Sequence, residues 1–162
     1  MTAIALSPRA EVAISRRVLR AIVRRLPAVS RSLLGLLFVF AGLNGFLNFL
    51  PQPTPGSLPK GAMDFFVAMM QTGYMLQLIA GTQLVAGTLL LVNRYVPLAL
   101  ALLAPVIVNI IAFHAFLLPA GIVPGAIAFV LEIHLAITYR AAYGSMLAAR
   151  VSVGARELQN QL

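Results

Sequence analysis

An all-α integral membrane protein of four spans is the fold this sequence predicts, and three observations predict it. Residues 32–139 contain only four formal charges, Lys60, Asp64, Arg94 and Glu132. Hydrophobic residues make up 60% of the 162-residue chain and charged residues 10%, with a mean hydropathy of +0.94, which leaves too little polar surface to cover a water-soluble domain of this size. Arginine crowds both ends of the apolar stretch. With a net charge of +8, that basic character suits topology determinants beside lipid rather than a nucleic-acid surface, where basic residues interleave with stacking aromatics.

A hydrocarbon core about 30 Å thick needs about 20 apolar residues at a helical rise of about 1.5 Å each. Residues 32–50, 74–93, 96–118 and 123–139 meet or approach that length and form one four-helix bundle over residues 32–140. Pro124, in the first turn of the last span, is a favourable helix start, whereas Pro105 inside the third span predicts a kink whose freed backbone groups must find partners within the protein. Arg9, Arg16, Arg17, Arg20, Arg24, Arg25 and Arg31 precede the first span. Arg94 joins the second to the third, Arg140, Arg150 and Arg156 follow the fourth, and Lys60 alone falls on the opposite side. The positive-inside rule then makes both termini cytoplasmic and turns the loops at 51–61 and 119–123 outward.

Residues 1–31 read as a basic cytoplasmic segment and 141–162 as a cytoplasmic tail. Within the first, Ile14, Val18, Ile22 and Leu26 share one helical stripe while Arg16, Arg20 and Arg24 share another, and Arg17 and Arg25 add charge. This is the pattern of an amphipathic helix whose arginines contact anionic lipid or a partner. The run Ser15-Arg16-Arg17-Val18-Leu19 touches the twin-arginine export pattern, but further arginines occupy the place of its apolar core and no small-residue cleavage site follows. On the outer side, Pro51, Pro53, Pro55 and Pro59 stiffen an extended loop leading into residues 62–73. There Met63, Phe66, Val67 and Met70 recur at helical spacing, predicting a short interfacial helix or lid. Met63, Met69, Met70 and Met75 could form a soft copper site, but methionine is the ordinary filler of apolar gaps and packing is the reading adopted.

The chain has no cysteine, so it carries no disulfide, thiol catalysis or thiolate-held metal. Its chemistry must come from the polar residues inside the spans: Asn44, Asn48, Gln77, Gln83, Asn109, His114, Glu132 and His134. An unsatisfied polar group there is costly and turns toward protein. With the deduced orientation, Asn44, Asn48, Gln77 and His114 lie toward the outer side, Gln83, Asn109 and Glu132 near mid-membrane, and His134 in the cytoplasmic half. An outward-opening polar pocket beneath the Met/Phe segment follows, with Asn44, Gln83, Asn109, His114 and Glu132 as candidate ligand contacts and no residue assigned as catalytic. Glu132 is the strongest single signal, since an acid at mid-helix costs about 2.5–3.5 kcal/mol on insertion scales. It reads either as a proton carrier or headgroup partner, or as a protonated carboxyl bonded to Asn109 or Gln83.

His114 and His134 invite a bis-histidine haem reading, but they fall in opposite leaflet halves, whereas two axial ligands must be nearly level across the iron. No metal site is assigned, because no histidine–carboxylate pair recurs at helical i, i+3 or i+4 spacing. Gly35, Gly42 and Gly45 follow one face of the first span, and Gly73, Gln77 and Gly81 one face of the second; both stripes read as seams where helices approach closely.

In order and spacing these motifs resemble the DoxX family of small four-span bacterial membrane proteins. Arg31-Ser32-Leu33-Leu34-Gly35 and Phe40-Ala41-Gly42-Leu43-Asn44-Gly45-Phe46 begin as its members begin. The run Gly87-Thr88-Leu89-Leu90-Leu91-Val92-Asn93-Arg94-Tyr95-Val96-Pro97 is similar to the family's junction between spans two and three. Pro105-Val106-Ile107-Val108-Asn109 with Phe113-His114-Ala115-Phe116-Leu117 resembles the third span of one branch. The resemblance covers roughly residues 31–145. It implies an association with membrane redox systems such as quinone-linked thiosulfate oxidation, and it places Gln83 where many relatives carry Glu, so an acid role is not carried over to that position. Three functions follow as expectations. The first is a non-catalytic accessory subunit of a membrane redox or energy-converting complex, contacting other subunits through its small-residue faces. The second is a quinone- or lipid-binding component of an oxidoreductase, in which Glu132, His114 and Asn109 bond the head atoms; quinone is its cofactor class. The third is a small transporter, for which the chain alone lacks paired inverted repeats although a homodimer could supply them.

Overall fold

The computed structural model describes residues 8–144, with side chains from residue 23 onward. Among the described residues there are five α-helices and no strand: α1 (Pro8–Leu47), α2 (Lys60–Gln71), α3 (Met75–Leu91), α4 (Val96–Phe116) and α5 (Ile122–Thr138). Short 3-10 turns at Pro119–Gly121 and Arg140–Tyr143 flank α5. Three segments, Val23–Leu47, Val96–Phe116 and Pro119–Thr138, are long and apolar enough to cross a membrane, and α2 and α3 together form a fourth apolar unit bent by 89° at its break. The large apolar side chains turned outward, among them Phe116, Val130, Val123, Leu98 and Ile137, run along α1, α4 and α5. An exposed apolar surface of that extent belongs in lipid. The protein is a helical membrane protein.

The element boundaries follow the expected ones within a few residues, with one difference. Residues 13–26 were expected to lie on the membrane as a separate helix before a span at 32–50, but the backbone runs as one 40-residue helix through Pro27. Proline removes a single intrahelical bond, and the apolar and helix-forming residues on both sides carry α1 across it. At about 1.5 Å per residue, a helix of that length is about twice the hydrocarbon thickness. The side chains of Arg16, Arg17 and Arg20, and the tail from residue 145, lie outside the described residues; Arg24 and Arg25 are exposed.

Each of α1 and α4 packs against both α3 and α5, closing a cycle of four long helices. The α1–α3 seam is the closest. A Cβ at Gly42 would stand 2.7 Å from the Ala80 carbonyl oxygen, and one at Gly87 2.8 Å from the Val39 nitrogen; Gly35 and Gly45 meet Leu91 and Ala80 in the same way. The α1 stripe is therefore a packing seam. The α3 side of that seam is Ala80, Leu84 and Gly87, not the stripe Gly73, Gln77, Gly81. Gly73 takes a left-handed φ of +74° in the α2–α3 turn with nothing within 4 Å of a Cβ, and Gly81 meets only the tip of Phe46. Residues 80, 84 and 87 share one face of α3; Gly81 lies about 100° round the axis from Ala80, and Gln77 sits exposed at the edge of that face.

The α3–α4 connection is a tight turn in which Asn93 and Tyr95 have positive φ and the Arg94 amide donates to the Leu89 carbonyl at 3.0 Å. Arg31 reaches across from α1, where its guanidinium donates to the Leu90 and Leu91 carbonyls at the C-terminus of α3. It satisfies acceptors that a helix end leaves free and places a cation at the negative end of the helix dipole. Tyr143 similarly donates to the Pro97 carbonyl at 3.0 Å, tying the end of α5 to the start of α4. The largest fully buried side chains, Leu34, Phe38, Leu90, Leu100, Leu103, Ile107 and Leu135, all lie at mid-height or toward this arginine-flanked end. The opposite end, below the proline loop, is hollow.

Candidate functional site

Three adjoining cavities open between the helices toward their proline-loop ends, and Ile110 lines all of them. The largest, about 420 Å³, lies beneath α2 and the proline loop. Its roof is Pro53, Leu58, Phe65, Phe66 and Met69, and its floor includes Ile79, Asn109, Phe113 and His114. A second, about 270 Å³, is set between α1, α3, α4 and α5, with Gln83 and His114 as the polar side chains in an otherwise apolar wall. A third, about 210 Å³, opens between α3 and α4 beside Pro105, with Gln83 and Asn109 on its walls.

The sequence explains the roof. Pro51, Pro53, Pro55 and Pro59 hold residues 48–59 out of regular helix, and α2 then starts directly after Pro59. Its apolar spacing turns Phe65, Phe66 and Met69 toward the cavity. Phe65 packs on Phe113 of α4 with ring centroids 5.5 Å apart, and Ala62 is fully buried. Lys60 pairs with Asp64 at 2.6 Å on the exposed first turn, where the hydrogen bond to that carboxylate and its charge push the Lys60 ammonium up. Of the methionines on α2, Met63 and Met69 are half-buried and Met69 lines the cavity among phenylalanines, whereas Met70 is exposed.

His114 is the best-defined polar group of the site. It occupies the last turn of α4, where its Nδ1 lies 3.0 Å from the Leu118 carbonyl oxygen. Its ring stands edge-on to Phe113 at 5.2 Å. Gly121 makes room for it: a Cβ at Gly121 would fall 2.7 Å from Nδ1, and one at Gly125 would lie 3.9 Å from Cδ2. The niche is therefore cut by Gly121, while Gly125, one helical turn on, borders the ring at ordinary contact distance and makes its close approach to Ile110.

The five candidate contacts divide. Gln83, Asn109 and His114 come together around the three cavities, and none of their side chains hydrogen-bonds to Glu132. Asn44 serves the backbone instead: its Oδ1 accepts the Leu50 amide at 2.8 Å where α1 ends at Asn48, whose φ is +49°. Glu132 is 6% exposed and lines none of the three cavities, and its Oε2 has no partner among the described residues. Its neighbourhood is the arginine-flanked end, where burial, and secondarily the Glu132 charge, push the Tyr143 phenol up. His134, near it on α5, also has a buried Nε2 without a partner among the described residues. His114 and His134 thus belong to opposite ends of the molecule, and among the described residues no three His, Asp or Glu side chains cluster to hold a metal ion.

A hollow with apolar walls, an aromatic roof and a few convergent polar groups is the form of a site for a lipophilic molecule with a polar head. No family model, no curated protein and no solved structure matches this chain.

Proposed function

We propose that this chain is a DoxX-like, four-span bundle of the bacterial inner membrane that binds a lipophilic molecule with a polar head, of which a quinone is one class, as a component of a membrane redox system. The observation that carries the reading is the roofed apolar cavity, which gathers Asn109 and His114 at its floor. The apolar part of the ligand lies under Phe65, Phe66 and Met69, and its head points toward His114 and Gln83. Because α2 stands at 89° to α3, α2 lies in the outer interface when α3 crosses the bilayer, a position from which it covers the site. The arginine count on either side supports cytoplasmic termini and a site that opens outward.

The test is extraction. Protein purified in mild detergent from its native membrane is extracted with organic solvent, and the extract is compared by mass spectrometry with bulk membrane lipid. One lipophile enriched toward one per chain, and depleted from the His114→Phe variant, is the expected result. An extract of bulk composition from both proteins contradicts the reading.

A second reading, the accessory subunit, is favoured by a groove on the outer face of α3. Gln77 is exposed there beside Gly81, Thr82, Val85 and Leu102, a polar and small-residue surface on an otherwise lipid-facing helix. Affinity isolation from the native membrane should return redox or energy-converting subunits in stoichiometric amounts, and these should be lost when Gly81 is replaced by Leu. Isolation of the chain alone contradicts it.

A further inference from the structure

We infer that the head of the bound lipophile carries a hydroxyl, which donates its hydrogen to Nε2 of His114; the inference rests on the lipophile-binding reading above. Nδ1 is held 3.0 Å from the Leu118 carbonyl oxygen. A carbonyl oxygen only accepts, so Nδ1 carries the hydrogen of that bond, and the neutral ring then presents Nε2 as a lone pair. Nε2 makes no hydrogen bond among the described residues, and it is not sealed in the core.

The space beside Nε2 is built. Gly121 borders the Cε1 edge of the ring and Gly125 the Cδ2 edge, and both line the 270 Å³ cavity together with His114 and Gln83. His114 also lines the 420 Å³ cavity, and with Nδ1 taken by Leu118, Nε2 is the ring nitrogen left to meet a ligand in this hollow. The other walls, Leu37, Phe38, Ala41 and Ala128 among them, offer no hydrogen to that nitrogen. A ligand whose head bears only carbonyl or ether oxygens would set acceptor against acceptor and leave Nε2 unpaired in an apolar enclosure. A hydroxyl pairs with it. Gln83, on α3, has a carboxamide that both donates and accepts, so it can take a second head atom of either kind without changing the selection made at His114.

The hydroxyl could sit on an aromatic ring, as in a hydroquinone, or on an aliphatic alcohol, and the test separates these sources. The full chain in lipid nanodiscs is titrated calorimetrically, without oxygen, with four probes sharing a ten-carbon tail: a hydroquinone, its quinone, its dimethyl ether, and an aliphatic alcohol. The hydroquinone is expected to bind about tenfold more tightly than the quinone and the ether, the size of one buried hydrogen bond. In His114→Phe that preference should vanish, with a helical circular-dichroism spectrum and an unfolding midpoint close to those of the unaltered chain showing that the variant is folded. Gly121→Ala, whose methyl would press on the imidazole, should shrink the preference with the same control. An alcohol as tight as the hydroquinone assigns the selection to the hydroxyl alone; a weaker alcohol assigns an aromatic head as well. A quinone or ether that binds as tightly as the hydroquinone, or more so, overturns the inference while leaving the lipophile site standing. Failure of all four probes to bind overturns both.

Discussion

The two ends of this molecule carry similar polar residues in different settings. At the arginine-flanked end, Leu34, Leu90, Leu100, Leu103 and Leu135 are fully buried, Arg31 ties α1 to the end of α3, and Glu132 and His134 hold buried atoms without partners among the described residues. At the proline-loop end, His114, Gln83 and Asn109 border cavities, and a separate helix covers the largest of them. A histidine packed in the first end and a histidine lining the second differ in what they can meet. Intramembrane polarity therefore does not by itself mark a site; polarity beside a roofed void is what the proposed site rests on.

The sharpest way to break this comparison is to damage each end separately. Leu103→Ala, which hollows the packed end at a fully buried position, should cost about 2–5 kcal/mol, seen as a large fall in the unfolding midpoint in detergent. A drop of less than about 1 kcal/mol would show that this end is not the structural core. His114→Phe should do the reverse, with hydroquinone affinity falling about tenfold and the unfolding midpoint moving by no more than the loss of the Leu118 bond, about 1 kcal/mol. Gly121→Ala should act in the same direction as His114→Phe but weaken binding by only about threefold, since the imidazole can yield by a rotamer adjustment. The smallest effect is expected from Glu132→Gln. Because Glu132 lines none of the three cavities, binding at the other end should stay within about twofold of the unaltered chain. A tenfold loss there would restore Glu132 to the site and erase the distinction between the two ends.

The helices long and apolar enough to cross a membrane were legible because lipid permits so few solutions, about twenty apolar residues per crossing. The short helix α2 was legible from four prolines followed by Met63, Phe66, Val67 and Met70 at helical spacing. The continuity of α1 was not, since a basic stripe, a proline and an apolar run look the same whether one helix or two carry them. Depth along a helix can be read by counting residues, which placed His114 at the same end as the proline loop. Direction around the axis and the presence of a void cannot be counted in this way, and this is why Asn44 and Glu132 looked equivalent to Gln83 and Asn109. Asn44 caps a helix end and Glu132 is buried in the packed half. The glycines that shape the site, Gly121 and Gly125, sit in a helix start rich in small residues and gain meaning only from the imidazole they face.

The most direct test of the central claim is to find where a lipophile sits. A photoreactive hydroquinone with an alkyl tail, crosslinked to the protein in native membranes and mapped by peptide mass spectrometry, reads this in one experiment. The account predicts labels within residues 53–79 and 109–125, competed away by unmodified hydroquinone and reduced in His114→Phe. Labels concentrated on residues 96–103 and 131–143, or spread evenly over the lipid-facing surface and indifferent to the competitor, would contradict it.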